Sequence, residues 1–214
     1  MDHQTSQVTG SMIDKKVFFI GLNKTATTSL FHFFRSNGYK CFDDPEWWYF
    51  KNKSDFDKYD IFTDGYERFE RSEHKEYDRF LNLEFLFSTF PEEYFILQHR
   101  PITDWLVSRL NMYSKGNLVL NPLEAKRQVR ADLGTVLYWQ EKVKYLAGLY
   151  KVKFRTLDVS LPDETIIHNL ESFFETEFDT KMIERINVSS EFLSEHTIQY
   201  NKNIVKEVFK SHFF

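Results

Sequence analysis

The sequence predicts an α/β fold: a three-layer α/β/α arrangement in which helices cover both faces of a central parallel sheet. Short apolar runs alternate with longer segments whose apolar residues recur at the period of a helix. The short runs contain few polar residues, which is typical of strands buried on both faces of a parallel sheet. The chain has 214 residues, with 5 Pro and 7 Gly, and contains no obvious linker. We therefore expect a flexible arm over residues 1–14 and one domain over residues 15–214.

The first predicted elements alternate between strand and helix. The apolar run VFFI at residues 17–20 predicts a buried strand. A helix is predicted over about residues 26–36, because its apolar residues share one face and an Asn-Gly pair follows it. Further strands are predicted over residues 39–42 and 60–63, and the aromatic segment WWYF at residues 47–50 reads as helical.

The second half of the chain continues the alternation. Pro91 ends one predicted helix, Thr103 or Asp104 can cap the next, Asn121 with its following Pro opens a long third helix, and Asp163 can cap a fourth. The predicted elements are, in order, a helix over residues 80–90, a strand over 94–97, helices over about 103–113 and 121–150, a strand over 152–157, and helices over 163–174 and 202–209.

Charge and cysteine content narrow the possible functions. Lys and Arg total 28 and Asp and Glu total 32, for a net charge of −4, so we expect neither nucleic-acid nor membrane binding. The single cysteine, Cys41, has no partner for an intrachain disulfide and rules out a cysteine-based zinc site. The first 12 residues lack the apolar core of a secretory signal, which leads us to expect a cytoplasmic protein.

The segment FIGLNKTATTSL at residues 19–30 indicates an anion-binding site. A buried strand runs into a short loop containing a lysine, and the following helix begins with a cluster of hydroxyl residues. Free amides, the positive end of the helix dipole, hydroxyls and an ammonium together favour a phosphate-like ligand. A magnesium-nucleotide loop counted from Gly21 needs glycine at position 26 and lysine at 27, whereas this chain has Ala26 and Thr27. The spacing therefore does not favour a magnesium-ATP site.

Residues 24–28, KTATT, resemble the KTGTT loop of the sulfotransferases that use 3′-phosphoadenosine 5′-phosphosulfate (PAPS). Ala26 replaces the glycine, and alanine can still adopt helical φ and ψ. The family's second signature is an arginine at the end of a later core strand, with a serine eight residues on, and the segment QHRPITDWLVS supplies Arg100 and Ser108 in that relation. Residues 186–189, INVS, resemble a late segment of many members. No counterpart of the Arg-Lys-Gly loop of the cytosolic small-molecule enzymes is evident, which indicates a different branch.

The resemblance implies transfer of a sulfuryl group from PAPS to a hydroxyl or amine of an acceptor, leaving 3′-phosphoadenosine 5′-phosphate (PAP), without a metal. Lys24 would stabilise the charge that develops on the leaving phosphate. Arg100 and Ser108 would hold the 3′-phosphate, and two anion-binding groups suit a nucleotide with phosphates at both ends of its ribose. The expected contacts to the 5′-phosphate come from Asn23, Lys24, Thr25, Ala26, Thr27, Thr28 and Ser29.

An acceptor hydroxyl or amine also needs a general base. Asp64 is the leading candidate, because it ends a predicted core strand at the edge where open α/β sheets bind ligands. Some family members carry an acidic residue at the corresponding strand end, and others use histidine. Asp64 can equally be a turn residue before Gly65. The alternative bases are Glu67, His74 and His99, the last of which can also be a core histidine.

Other features have two readings. The aromatic segment at residues 47–50, with Tyr66, can line an acceptor pocket or pack in the core. The basic segment at residues 126–130 can bind an acidic acceptor or form a solvated helix face. Besides a sulfotransferase, the loop is compatible with a P-loop kinase of small molecules or with a nucleotide-binding relative that has lost catalysis. Neither the acceptor nor the oligomeric state follows from the sequence.

Overall fold

Five strands form one central parallel sheet in the computed structural model, which describes residues 13–43, 47, 50, 52–64, 82–114, 120–185 and 193–213. Within those ranges the sheet order is β2-β3-β1-β4-β5, and every neighbouring pair is parallel. The strands are β1 (Val17–Phe19), β2 (Cys41–Asp43), β3 (Ile61–Thr63), β4 (Tyr94–His99) and β5 (Lys153–Asp158).

The connections between the strands contain helices. They are α1 (Thr27–Ser36), the short 3₁₀ helix Lys53–Phe56, α2 (Leu83–Thr89), α3 (Ile102–Tyr113), α4 (Pro122–Tyr150), α5 (Asp163–Phe174) and the C-terminal α6 (Glu195–Phe213). The predicted α/β class with a parallel sheet is confirmed. None of the helices within the described ranges is both long and apolar enough to span a membrane.

Alternate residues of the central strands belong to two separate cores. Phe18 of β1 lies in the core formed with α2, α3, α4 and α6, and its ring stacks on Phe62 at 4.9 Å and on Phe95 at 5.2 Å between centroids. Phe19 and Ile96 face the other core, which contains α1 and α5. Since both faces of these strands are covered, their sequences are continuous apolar runs, and the fold has three layers.

The chain leaves the two central strands in opposite directions. From β1 it passes through α1 to the edge strand β2, whereas from β4 it passes through α3 and α4 to β5 on the opposite edge. A crevice opens at the carboxyl ends of adjacent strands whose connections diverge in this way, and open α/β sheets bind ligands there. The loop at residues 20–26 and the segment at residues 99–101 flank this crevice.

Two predicted helix caps are wrong. The residue before α3 is Pro101 and the residue before α5 is Pro162, so Thr103 and Asp104 lie in the first turn of α3. Asp163 is itself helical, and its carboxylate instead accepts from the Ile183 amide at 3.2 Å. Pro101 and Pro162 set their own φ but have no side-chain oxygen, so neither residue caps the helix that follows it.

The cap of α4 is confirmed. The Asn121 side-chain oxygen accepts from the Leu123 and Glu124 amides, each at 3.1 Å, and Pro122 follows at the first helical position. The helix closes at Lys151, which has φ 55° in the left-handed region. These signals give the 29-residue helix clear ends at both sides.

Candidate functional site

The loop between β1 and α1 contains two residues in the left-handed region. Lys24 has φ 65° and Ala26 has φ 62°, and α1 begins directly after Ala26. Ala26 thus takes left-handed values in place of the ordinary helical φ and ψ that alanine can adopt. A tight turn into the helix needs positive φ at this point, and an alanine holds it at a cost of about 1–2 kcal/mol that a glycine avoids.

Gly21 allows the loop to approach β4 closely. A Cβ atom at this position would lie 2.1 Å from the Gln98 carbonyl oxygen and 2.6 Å from Gln98 Cδ. The Gly21 amide also donates to Gln98 Oε1 at 2.8 Å. A larger residue does not fit unless the two strands separate, so glycine at position 21 holds the loop against the end of β4.

Tryptophans from two helices hold the loop through hydrogen bonds to its backbone carbonyls. The indole N–H of Trp139 in α4 donates to the Ile20 carbonyl at 2.8 Å, and that of Trp105 in α3 donates to the Asn23 carbonyl at 2.8 Å. Arg109 of α3 donates to the Asn23 side-chain oxygen at 3.0 Å. The Asn23 side chain is thus buried against α3 and serves to position the loop.

Arg109 is the centre of a buried polar cluster between α3 and α4. Its guanidinium lies 3.5 Å from the Asp132 carboxylate, donates to the Tyr113 hydroxyl and sits 5.6 Å from the Trp105 ring centroid. Burial raises the pKa of Asp132 above its usual range, although Arg109 and a hydrogen bond from Gln128 act to lower it. Such a cluster fixes α3 against α4, and both helices support the loop.

Sequence reasoning missed Arg109. It lies one residue beyond Ser108 in a helix whose polar positions resemble a solvated face, and its partner Asp132 is in another helix. A local pattern could have revealed it. Trp105 and Tyr113 lie four residues before and after Arg109, and residues four apart are neighbours on the same face of a helix.

The first turn of α1 is available to an anion. The residue before the helix is Ala26, whose methyl group cannot cap the first amides, and the first turn contains no acidic residue. The Thr25 hydroxyl donates to the Leu22 carbonyl, so its hydrogen is already engaged. Thr27 and Ser29 are buried, whereas Lys24 and Thr28 are partly exposed. The uncapped amides and the helix dipole therefore provide the main attraction for an anion here.

Arg100 follows β4 and faces the same region. Its Nε atom and the Nε2 atom of Gln98 are buried, and neither has a hydrogen-bond partner in the part of the chain that the structure describes. Both residues line a small cavity of about 10 Å³ with Thr25, Trp105 and Trp139. Buried donors without partners are rare in proteins. The structure thus brings the loop and Arg100 together around unused donors.

Asp158 supplies a counter-charge beside Arg100. It ends β5 in register with His99 of β4. Burial acts to raise the pKa of Asp158, but hydrogen bonds from the Ser160 hydroxyl and amide, with the nearby His99 and Arg100, lower it below its ordinary value. A carboxylate on this side of Arg100 helps to hold the guanidinium at the end of the sheet.

Ser108 lies in the second turn of α3 and is partly buried. It is six residues beyond Ile102, which places it about 9 Å along the axis from the start of the helix. Because α3 starts two residues after Arg100, Arg100 and the first turns of α3 share the same end of the sheet.

Asp64 lies on the other side of the loop. It follows β3, which pairs with β1, has φ 55° and is partly exposed. The neighbouring Thr63 hydroxyl donates to Asp43 Oδ1 at 2.6 Å, so two carboxylates end adjacent strands. The loop at residues 20–26 therefore has Asp64 at one flank and Arg100 at the other.

Several predicted residues have other surroundings or lie outside the described residues. Trp47 is fully buried and donates to the Thr63 carbonyl at 2.9 Å, so this residue of the aromatic segment packs in the core. Lys126 of the basic segment pairs with Glu207 of α6 at 2.7 Å. The residues outside the described ranges are Trp48, Tyr49, Gly65, Tyr66, Glu67, His74 and the segment 186–189.

No group of three or more His, Cys, Asp or Glu side chains that could hold a metal ion occurs in the described ranges. Comparisons with family models, with curated proteins and with solved structures found no match to this chain. The start of α1 after β1, Arg100 after β4 and Asp64 after β3 are therefore the basis for assigning a function.

Proposed function

We propose that this protein is a sulfotransferase that moves a sulfuryl group from PAPS to a hydroxyl or amine of an acceptor. One observation carries the proposal. The uncapped start of α1 and the unpartnered Nε of Arg100, among the described residues, lie at the carboxyl ends of adjacent strands. Anion-binding groups on both flanks of one crevice suit a ligand with two separate phosphates, as in PAPS.

The reaction assigns a role to each side of the crevice. The acceptor oxygen or nitrogen attacks sulfur in line, the new bond to sulfur forms, and the bond from sulfur to the 5′-phosphate oxygen breaks. Lys24 and the α1 amides stabilise the charge that develops on the departing 5′-phosphate, which keeps the electron pair. Asp64 takes the acceptor proton. Arg100, with Ser108 on α3, binds the 3′-phosphate.

The loop favours this reaction over a magnesium-dependent kinase reaction. A magnesium-nucleotide loop places a hydroxyl directly after its lysine to hold the ion. Here the hydroxyl after Lys24 belongs to Thr25, which is buried and donates to the Leu22 carbonyl. That arrangement directs the hydroxyl into the loop and away from a metal-bound phosphate.

Ligand stabilisation tests the donor assignment. We expect PAP to raise the unfolding temperature in the presence of EDTA, since a ligand at a hundred times its Kd stabilises a fold by about 2.7 kcal/mol. ATP with magnesium is expected to have a much smaller effect. Stabilisation by ATP with magnesium alone would contradict the proposal and support a kinase.

Turnover separates an enzyme from a binding relative. The protein is incubated with PAPS and a panel of phenols, sugars, amines and peptides, and products are searched by mass spectrometry for an added sulfuryl group. We expect at least one acceptor class to gain the group with matching release of PAP. Tight binding of PAP with no product from any class, including a host extract, would indicate a relative that binds the nucleotide without catalysis.

A further inference from the structure

The outer face of α4 is apolar where a surface helix is normally polar. Among the described residues, five of the seven exposed large apolar side chains belong to this helix. Tyr138 is 55% exposed, Tyr145 is 70% exposed and Leu149 is 60% exposed. Tyr138 and Tyr145 line an open groove of about 570 Å³. A contiguous apolar patch of this kind marks an interaction surface.

The exposed residues have the spacing of a helix-pairing seam. Gly134, Tyr138, Glu141, Tyr145 and Gly148 follow one another at intervals of four and three residues, and all five are exposed. The inward face of the same helix already packs in the core through Val136, Trp139 and Val143. Residues spaced alternately four and three apart form the contact stripe between two packed helices, and here these residues lie on the solvent-facing side of α4.

The glycines of the seam leave room for a neighbouring helix. A Cβ atom at Gly134 or Gly148 would meet no atom within 4 Å outside the helix backbone. Each glycine inside a helix costs about 1 kcal/mol relative to alanine. A close approach by another helix offers a reason for this cost, because small residues let helix axes approach to the lower end of the usual 8–10 Å.

The face is complementary to itself. In an antiparallel pair with a two-fold axis between residues 141 and 142, positions at equal distances from the axis meet across the interface. Tyr138 of one copy then faces Tyr145 of the other, and Gly134 faces Leu149. Glu141, which already pairs with Lys144 of its own helix at 3.3 Å, faces the Lys142 of the other copy, which gives two further ion pairs related by the axis. Lys142 already lies over the Tyr138 ring at 5.8 Å, so its ammonium is directed along this face.

We propose that this protein forms a two-fold symmetric dimer through an antiparallel pairing of the outer faces of α4. The occupant of the groove is a second copy of the chain, because the same two-fold rotation places Leu149 opposite Gly134 and Lys142 opposite Glu141. The proposal does not depend on the enzymatic assignment, since Trp139 contacts the loop from the opposite side of the helix.

Sedimentation velocity and light scattering over a concentration series test the dimer. We expect a mass of two chains at micromolar concentration, and Tyr145→Glu is expected to weaken the dimer at least about tenfold by placing a charge against the partner's Tyr138. Met182→Glu, at a residue 68% exposed on another surface, is the matched control and should leave the dimer intact. A monomer up to about 100 μM, or equal effects of both variants, would overturn the proposal.

Charge reversal tests the register. Glu141→Lys places two lysines at each ion-pair position and is expected to weaken the dimer, as is Lys142→Glu alone. The double variant Glu141→Lys with Lys142→Glu recreates both pairs with reversed polarity and is expected to recover most of the affinity. A double variant at least as weak as the worse single variant would exclude this alignment.

Disulfide trapping gives an independent readout. A mixture of Tyr138→Cys and Tyr145→Cys proteins, oxidised with diamide, is expected to yield covalent heterodimers. Tyr138→Cys alone should crosslink poorly, because its two copies lie seven positions apart along the axis, about 10.5 Å. Burial raises the pKa of the native Cys41 thiol to about 12, which disfavours its thiolate, and Cys41→Ser in both proteins removes it from the reaction. Equal crosslinking by the single variant would contradict the antiparallel geometry.

Discussion

The guanidinium of Arg100 lies at the end of β4, with a buried Nε that no acceptor meets within the described ranges. We expect Arg100→Ala to weaken PAP binding at least about a hundredfold, because it removes a charge-assisted contact to the 3′-phosphate. Arg100→Lys should recover only part of the affinity, since an ammonium lacks the planar fork. Isothermal titration calorimetry measures both, with exposed Arg130→Ala as control. Unchanged affinity in Arg100→Ala would remove this residue from the site.

Asp64 occupies a left-handed position that asparagine also tolerates. Asp64→Asn is therefore expected to preserve the backbone while removing the proton acceptor, and to lower turnover at least about a hundredfold. Affinity for PAP should stay within about threefold of the native value. The assay is sulfuryl transfer to the best acceptor found, with exposed Asp57→Asn as the matched control. Near-normal turnover would assign the base to another residue, such as His99.

Gly21 and Ala26 are expected to respond to substitution in opposite ways. Gly21→Ala forces a Cβ onto the Gln98 carbonyl, and we expect a loss of about 2–4 kcal/mol in the free energy of unfolding. Ala26→Gly relieves about 1–2 kcal/mol of left-handed strain, but glycine also gives the unfolded chain more freedom, so we expect a net gain in stability of at most about 1 kcal/mol. Urea unfolding measures both. A Gly21→Ala protein of native stability would mean that the loop and β4 separate easily.

At the level of elements, α3 and α4 position the loop through the buried pair of Arg109 and Asp132. We expect Arg109→Met to lower the free energy of unfolding by about 3–5 kcal/mol, because the Asp132 carboxylate then stays buried without its cation. Adding Asp132→Leu should recover at least about 1 kcal/mol. A double-mutant cycle in urea gives the coupling energy. Strictly additive losses would show that the pair does not act as a unit.

The sequence predicted the elements better than their ends. The strands β1 and β4 were recognisable because strands covered on both faces are apolar throughout. The predicted strand ended at residue 97, two residues before the end of β4, because Gln98 and His99 are polar yet continue the pairing with β5. The helix α6 begins at Glu195, earlier than the predicted residue 202, because its first turns are polar and show little apolar periodicity.

At the scale of the whole molecule, the sheet order determines which segments can form a site. The position of Lys24 in a loop after a strand was predictable from local sequence, because strand, loop and hydroxyl-rich helix are contiguous. The support from Trp105, Arg109 and Trp139 was not predictable in the same way. These side chains reach the loop only because α3 and α4 pack on one face of the sheet, across sequence separations of 82 to 119 residues.

The contact between Gly21 and Gln98 ties the start of the loop to the end of β4. Neighbouring strands lie about 4.8 Å apart, so this contact fixes the distance between the start of α1 and Arg100, the two groups that we propose bind the phosphates. Selection of a ligand would then depend on how far apart its negative groups are, more than on the identity of its base. Compounds with the same two charges held at a shorter or longer spacing should be rejected even when each charge alone is accepted.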